Sequence, residues 1–203
     1  MADDGNKPSH FFAAVQAAID FGGPGYGEDP VLGFNTASQH VLVLLEDAVA
    51  AFERGSYGTS VFLAITSLEE TAKAELLGFR VQKPVDGQKK RRDPLRSHMK
   101  KHALAVRPTT FMGRLPGILG AETCAKLQLE ATDGTINRLR ETSIYASCSA
   151  EGQVSTPSAM IDRTRAREIV LVALESADDI LVGWTNDSYN LTKPFEALIA
   201  KVS

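Results

Sequence analysis

The chain has 203 residues, of which 43% are hydrophobic and 23% charged, and its formal net charge is −3. These values fit one globular domain with its own apolar core, and they exclude a wholly disordered chain, a collagen-like repeat and a coiled-coil fibre. The charge is unevenly spread, because residues 89–101 hold seven basic side chains against Asp93, which gives this segment +6 and the rest of the chain −9.

From the sequence we expect neither export nor membrane insertion. Residues 1–6 are acidic and lack the basic-then-apolar layout of a secretory signal. No run approaches the roughly 18 apolar residues that cross a bilayer. Cys124 and Cys148 lie far apart without C-x-x-C spacing and are expected to be free, buried thiols. We therefore expect a cytoplasmic protein.

In the first half of the chain, the spacing of apolar residues predicts three helices. A short helix covers residues 8–20 and ends at the glycine-rich run 22–25. A one-faced helix covers 35–54, with Asn35 or Thr36 as its N-cap. A second one-faced helix covers 57–80. The basic segment follows directly and is predicted to be a loop that leads into a short helix at 95–106.

The second half is also predicted to be helical. Residues 121–147 form a helix with a break at 133–134, residues 158–184 form a long unbroken helix, and residues 193–202 form a short final one. No stretch alternates apolar and polar residues, so strands are not expected.

These elements predict an all-α fold, an antiparallel four-helix-type bundle with extra short helices at the N- and C-termini. A short helix and a Gly/Pro-rich linker occupy residues 1–34. The bundle occupies residues 35–187, with the basic loop at 83–102, and a short C-terminal helix occupies 188–203.

One carboxylate falls on an apolar helix face. On the 57–80 helix, Glu69 lies on the inward arc, Lys73 lies at the margin of that arc and Glu70 points away from it. An unpaired buried carboxylate costs several kcal/mol, so Glu69 needs a partner, and Lys73 is the nearest in sequence. Two interpretations stay open: a structural ion pair, or a site carboxylate tuned by burial and a neighbouring cation.

A basic residue, Arg140, also falls on an apolar face, in this case on the 121–147 helix. Arg140 lies between Ile136 and Ile144 on one side of this helix. A guanidinium among aliphatic side chains needs a carboxylate on a facing helix, and Glu69 is a candidate. We therefore predict a buried polar cluster of Glu69, Lys73 and Arg140.

The basic segment is either a solvated surface patch or a sequence-independent contact to the phosphates of RNA or DNA. No aromatic residue lies among its charges, so it offers no base stacking. The residues assigned to this nucleic-acid or partner contact are Lys89, Lys90, Arg91, Arg92, Arg96, Lys100 and Lys101.

Neither a metal site nor a cofactor site is predicted. His98 and His102 are spaced four apart, but no further ligand accompanies them. Glu168, Glu175 and Asp179 form a stripe opposite the apolar arc of the 158–184 helix, and we expect this stripe to face solvent. The chain has no P-loop, no dinucleotide glycine fingerprint and no G-x-S-x-G motif.

Four short motifs in order resemble the AbiV abortive-infection proteins, which are bacterial anti-phage proteins near the all-α HEPN superfamily. Residues 67–77 resemble the family signature A-x-x-x-x-E-E-x-x-K-A through Glu69, Glu70 and Lys73. Asn35 with residues 45–48 is similar to the family's first helix, residues 98–101 to its H-K-x-K segment, and residues 140–145 to its R-x-x-x-x-Y stretch. The resemblance covers about residues 35–185.

The resemblance implies a four-helix unit that often pairs into a homodimer, and many HEPN domains are ribonucleases that use an R-x(4–6)-H motif. In this chain Tyr145 stands where the histidine is expected after Arg140. A phenol holds its proton well above neutral pH and is a poor general base there. Arg92 and His98 have R-x(5)-H spacing, but they lie in the basic segment.

Two functions therefore stay open. The first is an anti-phage effector that acts through contacts with RNA or with a phage or host protein, in which the charged cluster only holds the bundle together. The alternative is a HEPN-type metal-independent endoribonuclease or an RNA-binding toxin. In a ribonuclease, Arg140 stabilises the phosphorane, and His98 or Tyr145 transfers protons.

Overall fold

The structure is a computed structural model that describes residues 8–21, 25–80 and 93–203. The described residues are overwhelmingly helical, and the all-α prediction is confirmed. Their elements are α1 (Pro8–Asp20), α2 (Pro30–Glu53), α3 (Tyr57–Phe79), a 3₁₀ turn (Pro94–Arg96), α4 (His98–Met112), α5 (Leu115–Leu119), α6 (Ala121–Asp133), α7 (Thr135–Thr142), β1 (Ser147–Cys148), β2 (Val154–Ser155), α8 (Pro157–Met160), α9 (Arg163–Leu181), α10 (Asn186–Tyr189) and α11 (Thr192–Val202).

Helix α3 lies at the centre of the bundle and packs against α2, α4, α7 and α9. A short turn at Gly55 joins α2 to α3 as a helical hairpin, and the φ angle of +78° at this position favours glycine. The Ser60 hydroxyl donates to the Ala48 carbonyl at 2.8 Å and fixes the two helices against each other. Ile65 and Leu68 of α3 are fully buried, as are Leu171 and Leu174 of α9.

Helix α2 begins earlier than predicted. Asp29, not Asn35 or Thr36, is its N-cap, since the Asp29 carboxylate accepts from the Leu32 N–H at 2.9 Å and Pro30 stands at the first helical position. The Asn35 side chain instead bonds Asp187 at 2.8 Å and Thr185 at 2.6 Å. The predicted linker at 21–34 therefore already contains the first turn of α2.

The segment between α7 and α9 departs most from the prediction. Helix α6 ends at Asp133, its C-cap Gly134 has a φ of +88°, and α7 ends at Thr142, well before residue 147. A hairpin of two strands, each two residues long, follows, with Cys148 paired to Val154. The prediction of no strands is therefore wrong here. Strands this short show no alternation in sequence. Cys148 is exposed in this hairpin, while Cys124 is buried, and both are free thiols.

The long helix predicted at 158–184 is also divided. Helix α8 ends at Met160, Ile161 is extended and buried, and Asp162 caps α9 by accepting from the Arg165 N–H at 2.7 Å. The interruption lets Ile161 enter the core, which the helical periodicity alone does not show.

Helix α4 is longer than predicted and reaches into the bundle. Ser97 caps its start, it continues past residue 106 to Met112, and it packs against α3, α6 and α9. The Ser176 hydroxyl of α9 donates to the Ala105 carbonyl at 2.8 Å. The end of the predicted basic loop is therefore a packed helix. Within the described ranges, no helix is long and apolar enough to cross a membrane.

A buried ion pair joins the end of α3 to the 3₁₀ turn. The Arg80 guanidinium donates from Nη1 and Nη2 to the two Asp93 carboxylate oxygens at 2.9 and 2.6 Å, and its Nε donates to the Ala18 carbonyl at 3.0 Å. Although burial raises the pKa of the Asp93 carboxyl, the bonds from Arg80 and from the Leu95 N–H outweigh it and lower that pKa overall. One side chain thus ties α1, α3 and the start of α4 together.

We expect Asp93→Asn to lower the free energy of unfolding by about 2 kcal/mol, because it leaves the buried Arg80 without its counter-charge. Urea denaturation at pH 7 measures this. The control is Glu53→Gln, since the Glu53–Lys201 pair spans 3.7 Å with both side chains about half exposed, and its loss should change stability by less than about 0.5 kcal/mol. If the two substitutions lowered the free energy of unfolding equally, Arg80–Asp93 would not be the stabilising buried ion pair described here.

Candidate functional site

Glu69 is a buried carboxylate in the middle of the central helix. Its residue is 4% exposed, and its neighbours on the same helix, Ile65, Leu68 and Ala72, are fully buried. This burial follows from its place on the apolar arc of α3, which packs against α2, α4 and α9. The charge is tolerable only if other side chains bond it.

Three side chains from the start of α4 contact this carboxylate. Lys101 Nζ lies 2.6 Å from Glu69 Oε2, and His102 Nε2 lies 3.1 Å from Oε1. His98 Nδ1 lies 2.8 Å from both oxygens. Residues 98, 101 and 102 share one face of a helix because side chains three and four positions apart are neighbours.

Arg140 contributes a fourth contact from α7. Its Nε lies 3.5 Å from Glu69 Oε1, which makes an ion pair without a hydrogen bond, since this Nε has no hydrogen-bond partner. The guanidinium also lies over the Phe62 ring, 5.3 Å from the ring centroid, which is a cation–π contact. The name Glu69 cluster is used below for Glu69, His98, Lys101, His102 and Arg140.

Lys73 is not part of the Glu69 cluster. It forms an ion pair with Glu70, its neighbour on the outer side of α3, and both side chains are about one-third exposed. Of the two predicted partners of Glu69, Arg140 contacts this carboxylate, whereas Lys73 bonds the carboxylate of Glu70.

The cluster holds its carboxylate strongly ionised. Burial alone would raise the pKa of the Glu69 carboxyl, but hydrogen bonds from His102, Lys101 and His98 and the charge of Lys101 outweigh it and hold the pKa far below its usual range. One carboxylate faces two permanent cations and two imidazoles, so the cluster carries at least one net positive charge. Such a centre attracts anions.

Only part of the cluster reaches solvent. The side chain of His98 is 45% exposed and that of Arg140 is 27% exposed, whereas Lys101 and His102 are buried. Because Glu69 engages Nδ1 of His98, the second ring nitrogen is left to exchange a proton with a ligand. The outer side of the cluster therefore presents an oriented imidazole beside a guanidinium.

The other predicted binding residues fall into three groups. Arg96 and Lys100 are exposed near the start of α4. Lys101, expected on the surface, is buried because α4 is already helical there and turns this side chain towards α3. Lys89, Lys90, Arg91 and Arg92 lie outside the described residues.

Tyr145 lies beyond the end of α7 and is 69% exposed. Its hydroxyl makes no hydrogen bond to the Glu69 cluster within the part of the chain that the structure describes. His102 was not predicted from the sequence as a partner of Glu69. It follows His98 by four positions and Lys101 by one, and this spacing places all three side chains on one side of the helix.

The acidic stripe of α9 does not face solvent throughout. Glu175 is fully buried because α4 and α5 pack on this side of α9. Its carboxylate accepts from Arg114 Nε at 3.1 Å, and Arg114 Nη2 donates to Asp178 at 2.6 Å. Oxygens of Glu175, Asp178 and Asp179 lie within 4.8 Å of one another. The Arg114 guanidinium already supplies the positive charge between the first two of them.

The described residues form an all-α helical bundle with a buried, charged centre. The family model for AbiV (HEPN_AbiV) matches residues 33–177. Since this match spans well over half of the chain, the protein belongs to the AbiV family of abortive-infection, HEPN-like proteins. The matched region contains the whole Glu69 cluster. No significant match was found among curated proteins or among solved structures.

We expect Glu69→Gln to lower the free energy of unfolding by about 3 kcal/mol at pH 7, because Lys101 and Arg140 lose their shared counter-charge. The pKa of Glu69 is lower in the folded than in the unfolded state, so this carboxylate stabilises the fold above pH 4.5 and progressively less as the pH falls below that value. Urea denaturation at pH 7 and pH 3 measures this. The difference in free energy of unfolding between the variant and the parent protein should be smaller at pH 3 than at pH 7. Glu70→Gln, which removes a carboxylate that is about one-third exposed, is the control, and a pH-independent difference would contradict the linkage.

Proposed function

We propose that this AbiV-family protein is an abortive-infection effector that cleaves RNA, and that the outer side of the Glu69 cluster holds the scissile phosphate. One observation carries the proposal. A single buried carboxylate holds His98 at 2.8 Å and Arg140 at 3.5 Å, so that a proton-transfer group and a phosphate-binding group are fixed side by side and both reach solvent.

The charge around the cluster supports a polyanionic substrate. The cluster itself is net positive, and Arg96 and Lys100 are exposed near the start of α4. The basic residues 89–92 precede this helix in sequence. Lys and Arg side chains bind phosphates without reading sequence, so this surface favours a nucleic acid over a neutral ligand.

RNA carries its own nucleophile, the ribose 2′-hydroxyl, which the site can activate. His98 accepts the 2′-hydroxyl proton, the 2′-oxygen bonds to phosphorus, and the bond from phosphorus to the 5′-oxygen breaks. Arg140 stabilises the negative charge that develops on the phosphoryl oxygens. The departing 5′-oxygen takes a proton from water or from the phenol of Tyr145.

Glu69 positions the imidazole in this scheme. Its carboxylate binds the Nδ1 side of His98, which directs the other ring nitrogen outwards and stabilises the imidazolium that forms when the proton is accepted. DNA lacks the 2′-hydroxyl, so the same geometry predicts cleavage of RNA alone.

A second candidate is an interaction protein without catalysis, which contacts RNA or a phage or host protein. The burial of Lys101 and His102 supports this second candidate, because both side chains bond Glu69 and thereby join α4 to α3. In either case we propose a cytoplasmic homodimer, the arrangement common among HEPN-type bundles.

We expect the purified protein to cleave total RNA without added metal, and His98→Ala and Arg140→Ala to reduce the rate by about 10²-fold or more each. The matched controls are His40→Ala on the exposed side of α2 and Arg138→Ala on α7, which should keep the rate within about twofold. Circular dichroism verifies that each variant is folded. Salt-dependent binding without cleavage would favour the interaction protein, and neither binding nor cleavage would overturn an action on RNA.

We expect Lys100→Ala to weaken RNA binding and to make the dependence of log K on log salt shallower by about one counter-ion, because this exposed side chain contacts a phosphate. Lys126→Ala is the control, since Lys126 is exposed on α6 and pairs with Glu168 at 3.6 Å. Fluorescence anisotropy with a labelled single-stranded RNA, repeated over several salt concentrations, measures both slopes. If the two variants had the same slope of log K against log salt, Lys100 on α4 would not contact the RNA.

A further inference from the structure

A second site lies where α2 begins, α3 ends and α9 leads into α10. It is an open apolar pocket of about 140 Å³. Its side chains come from helices that are distant in sequence, and it shares no residue with the Glu69 cluster. The lining includes Val31, Phe34, Glu75, Phe79, Trp184 and Thr185.

Aromatic rings form the walls of this pocket. The rings of Phe79 and Trp184 meet edge to face, with centroids 5.0 Å apart and planes at 77°. The Trp184 indole is held in place because its Nε1 donates to the Ile180 carbonyl at 2.7 Å. Trp184 is nevertheless 56% exposed and Phe79 43% exposed, which is unusual for side chains with so much apolar surface.

One carboxylate interrupts this apolar lining. Glu75 is half-buried and has no hydrogen-bond or ion-pair partner among the described residues, whereas the fully buried carboxylates of Glu69 and Glu175 each have one. Burial among apolar groups raises the pKa of the Glu75 carboxyl to about 7. An acid in this position costs stability, and a positively charged group placed in the pocket would recover that cost.

The surrounding charges favour a cation as well. Asp29 caps α2 beside the pocket-lining Pro30 and Val31, and Asp187 lies two residues beyond the lining Thr185. The basic residues nearest to Glu75 in sequence are Lys73 and Arg80, and both are already bonded. Lys73 pairs with Glu70, and Arg80 bonds Asp93 and the Ala18 carbonyl. The pocket therefore combines aromatic walls with an unpartnered carboxylate, and two further acidic residues lie close to its lining in sequence.

We propose that this pocket binds a small alkylammonium compound, with its cationic head against the Phe79 and Trp184 rings and paired to the Glu75 carboxylate. Aromatic faces attract organic cations through the quadrupole of the ring, and a neighbouring carboxylate adds direct charge pairing. The volume of about 140 Å³ is below the roughly 300–1,000 Å³ of pockets that enclose a drug-sized ligand, so it suits a head group of a few heavy atoms.

The chain carries its own reporter for this site. Trp184 is the single tryptophan of the sequence, so intrinsic tryptophan fluorescence reports on the pocket alone. The experiment titrates n-butylammonium chloride into the full chain at pH 8, with sodium chloride at equal ionic strength as a blank. The uncharged n-butanol and the anionic butyrate serve as matched probes of the same length.

We expect a saturable fluorescence change with n-butylammonium and an apparent affinity at least tenfold weaker for n-butanol and for butyrate. Glu75→Gln should weaken n-butylammonium binding at least tenfold, and Phe79→Leu should weaken it while keeping the pocket apolar. Glu46→Gln removes the same charge from an exposed position of α2 and should leave binding unchanged. His98→Ala should also bind normally, which separates this site from the RNA site.

Three results would overturn the proposal. Equal responses to n-butylammonium and n-butanol would show a merely apolar pocket. Unchanged binding in a folded Glu75→Gln variant would remove the carboxylate from recognition. A fluorescence change that follows protein concentration, with no response to the amine, would show that a second copy of the chain covers these rings, and sedimentation velocity would verify that assembly.

Discussion

The structure depends on how the interior carboxylate of Glu69 is compensated. Three helices meet at this side chain: α3 carries it, α4 supplies Lys101, His98 and His102, and α7 supplies Arg140. Any arrangement that moved α4 or α7 away from α3 would leave an unpaired charge in the core, at a cost of several kcal/mol. The ionic contacts therefore specify which helix faces meet, while the apolar contacts supply most of the burial energy.

The same requirement also shapes the outer surface of the Glu69 cluster. A carboxylate that needs several partners fixes an imidazole and a guanidinium beside each other, and the shape of the bundle leaves one edge of both in solvent. Structural and functional interpretations of the cluster are thus compatible, because Lys101 and His102 serve the interior and His98 and Arg140 reach the outside. The pocket beside Trp184 differs in that its carboxylate has no partner among the described residues.

Much of the fold and part of the site could be predicted from the sequence. The three-four spacing of apolar residues indicated α3 to within one residue of its end, and it placed Glu69 and Arg140 on apolar faces. The errors occurred where short-range signals act: Asp29 and Asp162 as caps, the extended Ile161, and a hairpin of two-residue strands. Periodicity averages over several turns, so single-residue interruptions of this kind are invisible to it.

The sequence by itself determined the all-α class, the amphipathic helices and the presence of misplaced charges, because these follow from local periodicity and from the cost of burying an ion. Only the tertiary structure decided the partners between helices: Glu69 with three residues of α4 and with Arg140 of α7, and Glu175 with Arg114. Helices meet through side chains far apart in the chain, and several cations could satisfy each carboxylate. Which of them does so depends on how the helices pack, since only packing brings two distant side chains within the few ångströms over which charges pair.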